Sequence, residues 1–307
     1  SNYETLGTPG QIDPGIATNI FNVDKVDIAV LDTGIDYGQT FVENPIANPY
    51  LYSTGGLSDC PFQVAGWNFA DPVNGHDVLD DNGHGTFVTK IITSTLDDRG
   101  VGYRILPVKV FNGDGEGSYW NVVCAFGYLQ KVRAELGNLD MVNASFGGTI
   151  EDQLFDDKGL LNTMIEELAD AGVLVVTSAG NEGIDTDGGP LKHFPSGYAA
   201  DNIMGVGGYE EVGGIIVVHP MSNYGVQSID LAAPFEGWNV KLDLQPDANL
   251  MGTSYSAAYV TGLTSAYFID KGRPAPIQLK MDFLNDSDVM VSEDLKTEIN
   301  EGRYVEQ

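Results

Sequence analysis

Three short stretches carry residue types that together activate a hydroxyl. Asp32 stands in Ala29-Val30-Leu31-Asp32-Thr33-Gly34, His84 in Asp81-Asn82-Gly83-His84-Gly85-Thr86, and Ser254 in Gly252-Thr253-Ser254-Tyr255-Ser256-Ala257. A neutral serine hydroxyl is a weak nucleophile and needs a base within hydrogen-bond reach. An imidazole, with an ordinary pKa near 6.5, takes that proton and returns it to a leaving amine. A carboxylate behind the imidazole fixes its tautomer and stabilises the imidazolium. The chemistry of this set is acyl transfer, with Ser254 as nucleophile, His84 as general base and acid, and Asp32 as the orienting carboxylate. Asn181, in Ser178-Ala179-Gly180-Asn181-Glu182-Gly183, offers a side-chain amide to a developing oxyanion. A backbone N–H at the helix start around Ser254 offers a second donor.

Each piece alone has a plainer reading. Asp-Thr-Gly after a strand is often a turn, a histidine at a helix start is often a cap neighbour or core residue, and Gly-Thr-Ser and Ala-Gly-Asn are common in loops. Their joint occurrence, each at the edge of a regular element, favours the catalytic reading.

The elements that must position these residues follow from hydrophobic periodicity. Apolar Val/Ile-rich runs predict strands over 26–31, 105–111, 141–145, 173–178, 203–206, 215–218 and 229–232. Helical spacing predicts helices over 85–96, 118–136, 158–171 and 254–270, the last stopped by Gly272 and Pro274. Continuous apolar strands alternating with helices imply an α/β fold with three α/β/α layers and a mostly parallel, twisted central sheet. In such a sheet functional groups gather at the C-terminal ends of the strands. No linker, repeat or low-complexity stretch divides the chain, so residues 1–307 read as a single domain with 276–307 as a closing C-terminal segment.

Composition narrows the function classes. The 307 residues are 42% hydrophobic, enough for a full core, and carry 15 Lys and Arg against 44 Asp and Glu, a formal net charge of −29. That surface repels nucleic acid and anionic membranes. No apolar run of about 18 residues marks a membrane span. The start Ser1-Asn2-Tyr3-Glu4-Thr5 lacks the basic-then-apolar pattern of an export signal. The dispersed acids read first as a solvating surface, and more sharply as groups for Ca²⁺ or a basic substrate. Cys60 and Cys124 either pair in an oxidising compartment or stand as two buried thiols; the second reading is preferred, and neither has metal-site spacing.

The motifs Val30-Leu31-Asp32-Thr33-Gly34-Ile35-Asp36, Asn82-Gly83-His84-Gly85-Thr86-Phe87-Val88, Ser178-Ala179-Gly180-Asn181-Glu182-Gly183 and Gly252-Thr253-Ser254 resemble those of the subtilisin-like serine proteases, the subtilases. The order Asp, His, Ser is also theirs. The resemblance covers roughly residues 20 to 272 and implies an endopeptidase with no cofactor required for chemistry. It implies that an extended peptide pairs as an added strand between 109–117 and 141–148. Substrate contacts are then expected at Gly115, Glu116, Gly117, Ser145, Phe146, Gly147, Ser178, Ala179, Gly180 and Tyr255, with Tyr119 and Val122 at a more distant apolar subsite. Val122 fits a core helix position equally well. Gly147 and Ser178-Ala179-Gly180 would wall the pocket for the residue before the scissile bond. Carboxylates at Glu182, Asp185 and Asp187, with His193 close after, would favour Lys or Arg there if they face it.

The resemblance further implies a polypeptide substrate, an N-terminal propeptide inhibitor, a monomer, and export from the cell, with a cytoplasmic enzyme as the alternative. Structural calcium has room at Asp97 and Asp98, although 95–105 is shorter than the family's usual stretch and a solvated turn reads as well. Tyr255, Ala258 and Tyr259 replace the family's Met, Pro and His after the nucleophile, and Lys90 stands where a glycine is usual. These departures motivate a second reading, a protease-like domain that binds peptides without cutting them. A third, a dinucleotide enzyme, rests on the partial glycine patterns Gly205-Val206-Gly207-Gly208 and Gly113-Asp114-Gly115-Glu116-Gly117. Asp114 and Glu116 oppose a pyrophosphate, and a true fingerprint opens a helix directly after its strand.

Overall fold

Along β1 (Lys25–Asp32) the side chains divide between two cores. Val26, Ile28 and Val30 enter one, and Ala29 and Leu31 enter the other. Both faces of the strand are covered, which is why Ile28 to Leu31 reads as a continuous apolar run rather than an alternating one. The computed structural model describes residues 25–36, 66–154, 156, 159–242 and 245–307.

The other strands in chain order are β2 (Trp67–Asn68), β3 (Gly102–Lys109), β4 (Met141–Ala144), β5 (Gly148–Glu151), β6 (Leu174–Ser178), β7 (Leu191–Phe194), β8 (Ile203–Val212), β9 (Ile215–Val218), β10 (Leu231–Pro234), β11 (Glu236–Leu242), β12 (Gln245–Met251), β13 (Met290–Val291) and β14 (Arg303–Tyr304). The helices are α1 (His84–Asp98), α2 (Tyr119–Leu136), α3 (Leu160–Asp170), α4 (Thr253–Asp270) and α5 (Pro276–Leu284). Among the described residues the main sheet has ten strands, in the order β13-β14-β10-β8-β6-β4-β1-β3-β2 with β9 on β8. Pairing is parallel from β10 through β8, β6, β4, β1 and β3, and antiparallel for β8–β9 and β13–β14. One core lies under α1, α4 and α5, and the other under α2 and α3. The α/β/α fold with a mostly parallel sheet is the one the sequence predicts.

The chain runs from β1 to β3 on one side and then returns across β1 to β4 on the other. That reversal opens a crevice beyond the C-terminal end of β1, where Asp32 stands.

Three regions add to or correct the sequence reading. An antiparallel hairpin, β11–β12, precedes α4. Trp238 and Val240 from its first strand are buried in the core, on an alternation the sequence carried. The closing segment contributes α5, with Leu279, Phe283 and Leu284 in the core, and β14, which joins the main sheet against β10. Gly205-Val206-Gly207-Gly208 lies inside β8 rather than at a strand-to-helix turn, and a Cβ on Gly208 would sit 2.4 Å from the Phe235 ring. Its glycines serve close packing, which removes the motif from dinucleotide binding. Cys124 is exposed on α2, correcting the buried-thiol expectation, and Cys60 lies outside the described residues. Val122 takes the core alternative, 4% exposed, whereas Tyr119 is 40% exposed.

Candidate active site

Asp32 ends β1 and is 1% exposed. Its Oδ1 accepts the Thr33 N–H at 2.7 Å and lies 2.8 Å from His84 Nδ1. With a carboxylate on Nδ1, the imidazole carries its proton there and leaves Nε2 as the basic nitrogen. Asp32 Oδ2 is buried without a hydrogen-bond partner among the described residues.

His84 is the first residue of α1, and the approach to it is built by Asp80. Asp80 Oδ1 accepts from Thr33 Oγ1 at 2.9 Å, Asn82 N at 3.0 Å and Gly83 N at 2.8 Å, and Oδ2 accepts from Thr86 N at 2.9 Å. One carboxylate thereby ties the turn after β1 to the first turn of α1. Burial works against ionisation of Asp80, but the hydrogen bonds from Gly83, Thr86 and Asn82 outweigh it and hold the pKa below its usual value. Buried Lys109, at the end of β3, donates to the Thr33 carbonyl and to Asp81 Oδ1. Burial also lowers the pKa of His84, yet the charge and hydrogen bond of Asp32, with Asp80 behind, leave it raised above its ordinary value.

Across the crevice, Gly252 adopts φ 132°, a conformation that only glycine takes readily, and turns the chain into α4. Thr253 donates its N–H at 2.9 Å and its hydroxyl at 3.0 Å to Asn181 Oδ1. With its oxygen held in this way, the Asn181 amide has Nδ2 left as the donor on the cavity side. Ser254 is stapled to the end of β4. Ser145 Oγ donates to the Ser254 carbonyl at 2.7 Å, and Ser254 Oγ donates to the Ser145 carbonyl at 3.0 Å. Behind them Thr261 Oγ1 donates to Asn143 Oδ1 at 2.9 Å, and Asn143 Nδ2 to Ser145 Oγ at 2.9 Å. The Ser254 hydroxyl therefore rests on a backbone carbonyl.

Asp32, His84, Asn181 and Ser254 line one cavity of about 330 Å³. Of the expected substrate contacts, Gly115, Ser145, Phe146, Gly147, Ser178 and Gly180 line it as well. Glu116 and Gly117 are exposed beside it, and Ala179 is fully buried in the core. Tyr255 is 9% exposed and packs behind the site, its ring centroid 5.5 Å from that of His84. Burial, with the Asp32 charge, pushes its hydroxyl up to about 12.

The acidic loop divides. Glu182 borders the cavity, its Oε2 accepting from Asn223 Nδ2 at 2.5 Å. Asp185 instead closes its own turn through the N–H groups of Asp187 and Gly188, and Asp187 accepts from Gln227 N. Asp80, Asn143, Thr261 and Asn223 were not singled out from the sequence. Among them only Asp80 had a signal, an acid shortly before a helix start. Asp97 accepts from the Tyr103 hydroxyl, and among the described residues no group of three His, Cys, Asp or Glu side chains is arranged for a metal ion. No helix among them is long and apolar enough to cross a membrane.

The model of the subtilase family matches residues 24–269. The chain belongs to the subtilase family. Among its relatives is the major intracellular serine protease of Bacillus subtilis (strain 168), 28% identical over 248 residues, which span 78% of this chain and 66% of that protein. The subtilase-type proteinase RRT12 of Saccharomyces cerevisiae is 27% identical over 79% of this chain and 47% of its own. This subtilase thus spans about half to two thirds of the length of these two relatives. In fold it is similar to a cold-adapted subtilisin-like serine proteinase, with a TM-score of 0.63 and 21% identity over 92% of this chain and 90% of that one. It is likewise similar to a structure of the subtilase cytotoxin SubAB, with a TM-score of 0.65 and 20% identity over 95% and 91% of the two chains.

Proposed function

We propose that this subtilase is a serine endopeptidase acting through an acyl-enzyme. The observation that carries the reading is the 2.8 Å pairing of His84 Nδ1 with Asp32 Oδ1 at a cavity shared with Ser254 and Asn181. His84 Nε2 accepts the Ser254 proton as Oγ adds to the scissile carbonyl carbon. The oxyanion is received by Asn181 Nδ2 and the Ser254 backbone N–H, donors already oriented before charge develops. The imidazolium then protonates the leaving amine, and a water repeats the sequence on the ester.

The substrate is an extended polypeptide lying between the end of β4 and the loop carrying Gly115. Glu182, at the cavity, favours a cationic over an anionic side chain before the scissile bond. Residues 1–307 are read as one catalytic domain. The net charge of −29 suits an exported enzyme, which cell fractionation tests. The alternative, peptide binding without turnover, rests on the replacement of Met by Tyr255. That side chain lies behind His84 and leaves the nucleophile, base and oxyanion donor in place. The test is hydrolysis of a denatured protein: Ser254→Ala abolishes it if the proposal holds. Tight binding without cleavage by the unmodified chain favours the alternative.

A further inference from the structure

The cavity beside Ser254 has an unusual bottom. β4 continues through Ser145, Phe146 and Gly147 on one side, and β6 through Ser178, Ala179 and Gly180 on the other. Between these two chain ends stands the ring of His193, brought there by β7, which runs antiparallel to β5 with His193 opposite Thr149. A Cβ on Gly147 would lie 2.1 Å from His193 Cε1 and 2.3 Å from Nε2, and a Cβ on Gly180 would lie 2.8 Å from Cδ2. The imidazole therefore touches both walls edge-on, and only glycine permits the approach on either side. His193 Nδ1 pairs with Ser196 Oγ at 2.8 Å, which fixes the ring plane. The residue is 1% exposed and borders the same cavity as Ser254.

The position of this ring decides which substrate atom meets it. Asp32 ends β1 and His84 opens α1, so the amine that His84 protonates departs on the β1 side. The acyl side chain falls toward β4 and β6, where His193 spans the recess. We propose that His193 is the floor of the pocket for the residue before the scissile bond and limits that residue to short side chains, such as glycine, alanine and serine. The inference rests on the proposed peptidase reading and deepens it. His193 thereby overrides the cationic preference read from Glu182: the rim carboxylate still disfavours an anionic side chain, but the floor shuts out Lys and Arg on length. Burial without a carboxylate partner pushes the His193 pKa down to about 4, so the floor is an uncharged ring at neutral pH.

The test measures kcat/KM on peptides that differ only in the residue before the cleaved bond, with active sites counted by fluorophosphonate labelling of Ser254. The expected result is alanine over phenylalanine by at least about 10-fold, the discrimination that side-chain fit in a closed pocket typically supplies. His193→Gly should raise phenylalanine relative to alanine by about 10-fold or more, and His193→Ala should raise it less. Unmodified enzyme that labels at Ser254 and cleaves after phenylalanine as well as after alanine overturns the floor while leaving the peptidase standing. An unchanged ratio in a folded His193→Gly variant also overturns it. Folded protein that does not label overturns both readings. Should His193→Gly not fold, the ratio in the unmodified enzyme decides.

Discussion

His84 and His193 border the same cavity, yet their protonation equilibria move in opposite directions. Burial lowers both. At His84 the Asp32 carboxylate, with Asp80 behind it, outweighs burial and leaves the pKa raised. At His193 the partner is the Ser196 hydroxyl, which carries no charge, and burial acts unopposed. The direction at each histidine is thus set by its partner's charge weighed against burial. On the proposed reading the histidine beside Asp32 exchanges protons during turnover, and the one between the ends of β4 and β6 stays neutral and shapes the pocket.

The contrast breaks most completely when its catalytic half is removed. His84→Ala or Ser254→Ala should lower kcat by about 10⁶-fold, because the pair acts as a unit. Asp32→Asn keeps the shape and removes the charge that separates the two histidines, and should cost about 10⁴-fold. Both are read from steady-state rates on one peptide. Asn181→Leu leaves both histidines alone and removes only the oxyanion donor, so kcat should fall about 10²–10³-fold with KM little changed.

Stability against pH sharpens the other half. The unfolded chain protonates His193 near pH 6.5 and the folded chain near 4, so stability is lost as pH falls through that window. Chemical denaturation at the two ends should show the unmodified enzyme losing about 3 kcal/mol more than His193→Gln. Activity runs on the raised pKa of His84: kcat/KM should fall on acidification with a midpoint above 6.5, because only the neutral imidazole accepts the serine proton. The smallest effect is Asp80→Asn, which removes one of the raising charges and should shift that midpoint toward lower pH by less than about one unit.

The reacting groups were legible in the sequence because each needs a particular residue type beside a sharp turn. Asp32, His84, Asn181 and Ser254 all sit beside glycines at the ends of apolar or helical runs, and the structure gathers them at one cavity. What supports them was not legible. Asn143 takes its place through Thr261, 118 positions away, and an asparagine in a strand carries no sign of that partner. The acidic loop misled for the same reason, since Asp185 and Asp187 look like Glu182 in sequence but spend their oxygens on nearby backbone N–H groups. His193 was noted only as a neighbour of that loop, because the register of β7 against β5, not spacing along the chain, carries it between Gly147 and Gly180. The hairpin β11–β12 had its signal in the alternation of Trp238, Asn239 and Val240, short enough to pass unnoticed between two stronger elements.

The most direct test of the central claim is mass-spectrometric mapping of the fluorophosphonate adduct on the folded protein. The account expects a single adduct, on the Ser254 hydroxyl, whose rate of formation rises with pH through the raised pKa of His84 and collapses in His84→Ala. An adduct on another residue, or none on a folded and peptide-binding chain, would contradict it.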